Sequence, residues 1–351
     1  MKLSHWLVLL CTVTACQYPV DLSTLPTTQK FLVIDAEVTE EFARLNVLYS
    51  LEKVSSTGAY TLPKPPAAVA YLENSTGVKY NLKNTTGIID TLFKGKIGET
   101  YQLIVQVDGK RYESTKEKLR SCPSIDTVLV QYNRESFRSP ADIAYDGFDV
   151  SVEAKDLPGT ENYYQWHWVN YVRAPYCNKV YSRAEDKDVL LQCNPPDCWN
   201  INYNAKVIVQ TDKLRDGGPI NQLVVRVPFA TPPNKYFLRI EQRSITPSVY
   251  TYLKSLETQT ENIGTLFDIP AQTRFNPNVL NVTDKSEKLL GVFSVYAFRR
   301  KIVYIDMLQK IPNAEAKVII ESTPYSADPL ASAPCTEETY RTRIKPQGWI
   351  N

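Results

Sequence analysis

Residues 101–107, YQLIVQV, run into Asp108-Gly109 and out again through residues 110–114, KRYES. Asp-Gly supplies the positive φ angles of a tight primed turn, so the stretch predicts a β-hairpin and sets the character of the chain around it. The neighbouring segments agree. Residues 31–34 (FLVI), 46–49 (NVLY), 68–73 (AVAYLE) and 78–82 (VKYNL) are short β-type runs, separated by a proline-rich loop at Pro63-Lys64-Pro65-Pro66 and a turn at Asn74-Ser75-Thr76-Gly77. Six or seven such strands in about ninety residues predict an immunoglobulin-like β-sandwich over residues 31–120. A break follows at Ser121-Cys122-Pro123-Ser124.

Beyond the break, strand-like runs recur at 125–132, 147–153, 163–171, 206–210, 222–227, 236–242, 289–297 and 301–305. One helix stands out, near 246–262. Thr246 is placed as N-cap and Pro247 at the first helical position, with Val249, Leu253 and Leu256 spaced by four and three. Residues 263–278 read as irregular. The expected fold class is mainly β: the N-terminal sandwich, then a larger β-rich domain over 125–351 carrying one prominent α-helix. The 22 tyrosines and 23 prolines against 13 glycines favour the same short strands and rigid loops.

The opening segment sets an expected compartment. Lys2 precedes an apolar run at residues 3–13, too short to cross a bilayer about 30 Å thick as a helix, and residues 1–15 have the build of a secretory signal peptide. The run ends in Val13-Thr14-Ala15-Cys16, which resembles a bacterial lipobox. On this reading Cys11 is discarded, Cys16 carries the acyl chains (palmitate among them) and residues 16–30 form a tether. The competing reading is an ordinary signal peptide with an incidental cysteine.

An exported chain keeps its disulfides, so Cys122, Cys177, Cys193, Cys198 and Cys335 are expected to form at most two bridges and leave one free thiol. Four cysteines allow three pairings, which sequence leaves open. Cys193-Asn-Pro-Pro-Asp-Cys198 is a loose zinc half-site with no second half, and disulfide is the preferred reading. The 40 basic and 38 acidic residues leave no basic excess for nucleic acid. With His5 and His167 as the two histidines, and His5 in the signal segment, no multi-histidine metal site can be built and no cofactor is expected.

Residues 239–241, Ser248-Val249-Tyr250-Thr251-Tyr252-Leu253, Gly264-Thr265-Leu266-Phe267-Asp268-Ile269-Pro270, residues 276–281 and Leu290-Gly291-Val292-Phe293-Ser294-Val295 occur in the order seen in a Bacteroidota lipoprotein family. The chain resembles this domain of unknown function, forty-two forty-nine, over nearly all of its mature length. Leu32-Val33-Ile34-Asp35-Ala36, the strand Tyr163-Tyr164-Gln165-Trp166-His167-Trp168 and the tail at 344–349 extend the likeness, although Cys335 stands alone where the family clusters several cysteines. The resemblance implies an outer-membrane lipoprotein whose gene often neighbours a TonB-dependent receptor. It implies no reaction and no catalytic residues.

The aromatic strand is the leading binding candidate. Tyr164, Trp166 and Trp168 share one face, where they could stack against a sugar or another apolar ligand; Tyr163, Gln165 and His167 share the other. The preferred reading makes the first face core. His167 is a candidate lone general base, read first as a structural histidine. Glu37 with Glu40 and Glu41 offers carboxylate pairs of the kind glycoside hydrolysis requires, a signal that is weak among so many acids. Phe267 is a candidate docking residue, packing under the helix being the preferred reading. The expected function is a non-catalytic, lipid-anchored accessory protein of the outer membrane that partners a TonB-dependent receptor. Its alternatives are an envelope hydrolase and a structural or assembly lipoprotein. Residues 17–21 lack an acidic export signal, so the side of the membrane stays open.

Overall fold

A computed structural model describes residues 30–50, 65, 67–139, 142–174, 178–182, 187–192, 198–229, 235–261, 275–307 and 340–349. The protein is mainly β, with a single helix among the described residues. Asp108 and Gly109 take φ angles of 50° and 76°, and strands Thr100–Val107 and Lys110–Ser114 pair across them with Val107 opposite Lys110.

Two sheets form the first sandwich. One contains Leu32–Val38, Ala43–Tyr49 and the edge strand Thr86–Asp90; the other runs through Lys110–Ser114, Thr100–Val107, Ala68–Asn74 and Lys79–Leu82. Along Leu32–Val38 the side chains alternate, with Leu32, Ile34, Ala36 and Val38 buried against Leu103, Val105 and Leu72 of the facing sheet. This core is not made by residues 31–120 alone. Leu289–Leu290 and Phe293–Val295 pair in parallel with Leu32–Val38, and Val279–Asn281 pairs with Lys110–Ser114. Val279, Leu289, Phe293 and Val295 are buried in the same cluster. Local periodicity marks strands but does not name their partners, so the late contribution is invisible until the sheets are assembled.

The second sandwich packs the sheet Ile125–Arg138, Ala144–Lys155, Pro219–Pro228 against a longer one. That longer sheet is ordered Ala297–Asp306, Lys235–Ile245, Tyr163–Ala174, Cys198–Tyr203, Arg341–Thr342. Phe148, Val150, Val152, Trp166, Leu238 and Ile240 fill the space between. The helix Pro247–Glu261 lies where the sandwiches meet: Val249 is buried in a third cluster with Val292 and Phe298, joined by half-buried Phe42, Tyr163 and Leu253. The first helical turn closes through Tyr250 N donating to Thr246 O (2.9 Å). The Thr246 hydroxyl meets Ser248 Oγ at 3.0 Å, and Ser248 Oγ donates onward to Glu117 of the first sandwich.

The expected strand 289–297 is divided at Gly291 and again at Tyr296. With Tyr296 as the one residue between them, the chain passes from the first sandwich at Phe293–Val295 into the second at Ala297–Asp306. Tyr296 N donates to Val38 O (3.0 Å) and its hydroxyl to Glu37 Oε1 (3.1 Å), while the Arg243 guanidinium lies 4.6 Å from its ring centroid. One fully covered residue thus ties the two bodies at their crossing point.

Candidate functional sites

The structure makes core of the aromatic face offered by the central strand. Tyr164 and Trp166 are 1% and 0% exposed, so they form no open stacking platform. Trp166 Nε1 donates to Gln242 Oε1 (3.2 Å), and the Tyr164 hydroxyl donates to Asp156. Trp168 is half-buried against the same core, its backbone held by Asn204. Tyr164 and Trp166 fill volume between two sheets and each finds a partner for its polar atom, the usual condition of a buried aromatic. Phe267, Cys16, Cys177, Cys193 and Cys335 lie outside the described residues.

Two of the candidate disulfide cysteines are described, and they differ. Cys198 is disulfide-bonded. Cys122, a candidate for a bridge, is instead a free buried thiol, which is compatible with the one free thiol expected among the five cysteines. It sits in the link between the sandwiches and donates to Gln242 O (3.4 Å), while Gln242 Nε2 donates to Pro123 O (3.0 Å). Burial pushes its pKa up to about 12, which leaves it protonated and unreactive.

The expected carboxylate cluster turns out to be a seam between the sandwiches. Glu37 pairs with Arg44 at 2.6 Å and with Arg243 at 3.7 Å; Glu40 pairs with Arg299 at 3.0 Å and Glu41 with Arg300 at 3.2 Å. Glu241 accepts from both Arg243 (2.7 Å) and Arg300 (2.8 Å). Arginine suits this role because its planar fork serves two carboxylates at once. His167 faces the same seam from the side opposite the tryptophans. Burial first, then the charges of Arg243 and Arg239, bring its pKa down to about 4, so it is neutral at pH 7. Among the described residues it has no hydroxyl or thiol partner to activate.

Asp35, also on the seam, has no ion-pair partner among the described residues. Burial, reinforced by Glu37, raises its pKa to about 6. The folded protein therefore keeps a proton that the unfolded chain releases above about pH 4. The associated stability is fully present below that pH and is lost as pH rises through about 6. Each pKa unit corresponds to about 1.4 kcal/mol, so ionised Asp35 costs on the order of 1–3 kcal/mol. Asp35→Asn should then be more stable than the parent at pH 8 by that amount, with the gain gone at pH 3.5; thermal melts at the two pH values check it.

Three carboxylates gather elsewhere, at Asp156, Asp212 and Asp216, with oxygens within 4.8 Å of one another. They could serve a cation, but each already accepts a backbone amide: Gly217 N on Asp156 (2.8 Å), Asn162 N on Asp212 (2.8 Å) and Gly159 N on Asp216 (2.9 Å). These bonds knit the loops at 156–162 and 212–217 together. Burial and the neighbouring Asp156 raise the pKa of Asp212, as expected for adjacent acids.

A cleft of about 590 Å³ opens at one end of the first sandwich, where the sheets part. Leu32, Val107 and Tyr112 form its floor. Its rim comes from the hairpin turn at Asp108, the segment Asp284 to Lys288, and Lys30, the first of the described residues. Tyr49 donates to Asp108 Oδ2 (2.7 Å), Tyr112 to Glu287 Oε1 (3.3 Å), and Lys110 pairs with Glu287 at 3.1 Å. The bond to Asp108 raises the Tyr49 pKa to about 12, so its hydroxyl stays a donor. Sequence signalled the Asp-Gly turn but not this cleft, because its walls come from segments far apart in the chain.

Fold and sites together define a mainly β protein of two interlocked sandwiches, with an arginine–glutamate seam and an open polar cleft. The chain belongs to the family described as Domain of unknown function (DUF4249), which it matches over residues 17–302. No curated protein matches it.

Proposed function

We propose that this protein is a lipid-anchored, non-catalytic accessory protein of the bacterial outer membrane that docks onto a TonB-dependent receptor during nutrient capture. The observation that carries the docking is a bare apolar edge on the first sandwich. Thr86–Asp90 ends its sheet among the described strands, and Ile88, Ile89 and nearby Leu92 are 61%, 50% and 74% exposed. An edge strand with unpaired backbone groups and exposed apolar side chains invites a protein partner. The lipobox-like Val13-Thr14-Ala15-Cys16 supports the anchor. An acylated cysteine confines the body to the membrane plane and raises its effective concentration near a receptor.

Two measurements test the reading. Cys16→Ala should move the protein from the membrane to the soluble fraction; retention in the membrane would remove the anchor. Affinity purification from native membranes should recover a large β-barrel, and Ile88→Lys with Leu92→Lys should abolish that recovery while leaving the fold intact. A lone protein in the purification, or a partner insensitive to the two lysines, would count against docking through this edge.

A further inference from the structure

We propose that the cleft at the open end of the first sandwich binds a zwitterion, a short peptide with free amino and carboxyl termini. The argument rests on how charge is arranged around it. The lining carries three lysines and three carboxylates, so it has no net field to favour a phosphate over a polyamine. Within that balance one pair is already neutralised, Lys110 with Glu287 at 3.1 Å. Lys30, Lys288, Asp108 and Asp284 make no ion pair among the described residues, so two cations and two anions around the rim are not neutralised by an opposite charge. Asp108 accepts the Tyr49 hydroxyl, and Asp284 Oδ1 accepts the Ser286 amide (3.0 Å) and hydroxyl (2.6 Å), which leaves Oδ2 of Asp284 to a ligand.

Both lysines lie over aromatic rings. Lys30 Nζ lies 4.2 Å from the centroid of the Tyr49 ring, and the hydroxyl of that same ring donates to Asp108 Oδ2. Lys288 Nζ lies 5.1 Å from the Phe275 ring, which packs against Phe31 at 5.0 Å. Lys30 and Lys288 thus mark one lip of the cleft, while Asp108 on the hairpin turn and Asp284 mark acidic positions on others. A ligand bearing both an ammonium and a carboxylate can make charge-assisted hydrogen bonds at both ends. Its side chains would meet the apolar floor of Leu32 and Val107. A volume of about 590 Å³ falls within the roughly 300–1,000 Å³ usual for small-ligand clefts. The site stands on this geometry whether or not a receptor partners the protein.

Calorimetric titration of the full chain in detergent tests it, with trialanine as probe beside N-acetyl-trialanine amide and maltotriose. Trialanine should bind, and the doubly capped peptide at least tenfold more weakly. Lys30→Gln and Asp108→Asn should each weaken trialanine about tenfold; asparagine tolerates the φ of 50° at position 108, so the hairpin is preserved. Absence of trialanine binding at millimolar concentration would overturn the proposal. So would a capped peptide or maltotriose that binds as tightly as trialanine, or two variants that bind it like the parent.

Discussion

Trp166→Ala should destabilise the protein by about 3–5 kcal/mol, the range for removing a large aromatic from a packed core. Trp166 is 0% exposed at the centre of the second sandwich, among Phe148, Leu238 and Ile240. Truncation leaves a cavity that two hydrogen-bonded sheets cannot close. It also strands Gln242 Oε1, which accepts the indole N–H and belongs to a residue with no exposed surface. Urea unfolding followed by far-ultraviolet circular dichroism gives the measurement. Trp168→Ala, at a half-buried position on the rim of the same core, should cost less than half as much. If Trp166→Ala instead kept its stability while Trp168→Ala lost it, the assignment of core and rim would be reversed.

Gly291→Ala should be as damaging, again about 3–5 kcal/mol. Gly291 has a φ of +90°, and a Cβ built there would lie 2.2 Å from Ile34 O and 2.6 Å from Ile34 C. The left-handed backbone costs a non-glycine residue about 1–3 kcal/mol, and forcing an extra methyl into a packed position costs about as much again. Ile34 cannot yield, because its strand is paired on both sides: with Ala43–Tyr49, and with Leu289–Leu290 and Phe293–Val295 flanking the glycine. The substitution should therefore detach the returning segment from the first sandwich. Hydrogen exchange would show it as lost protection at Ala36 N, which donates to Val292 O (3.0 Å). Unchanged protection there would mean that the segment docks without the glycine.

The elements that could be read from the chain are those whose cause is local. Asp108-Gly109 predicts its hairpin because few other pairs accept two positive φ angles, and Leu32–Val38 shows its buried face in its own alternation. The helix is legible from Thr246-Pro247 and from apolar spacings of three and four. The candidate sites were less legible, since their chemistry depends on what faces each residue. Tyr164 and Trp166 look alike in sequence whether their face meets solvent or a second sheet. Glu37, Glu40 and Glu41 resemble a loose acidic cluster until Arg243, Arg299 and Arg300 arrive opposite them. Cys122 looks like any other cysteine of the chain until Gln242 closes over it.

By itself the sequence determined the β character, the helix and the turns, together with the lipobox-like motif on which the proposed anchor rests. Only the tertiary structure decided that residues 279–295 complete the first sandwich, that an arginine–glutamate seam and Tyr296 join it to the second, and that a charged cleft opens at its end. The physical reason is one of range. Backbone dihedral preferences and side-chain alternation act over a few residues and are written in the chain, whereas sheet pairing, burial and ion pairing are settled between segments far apart in sequence.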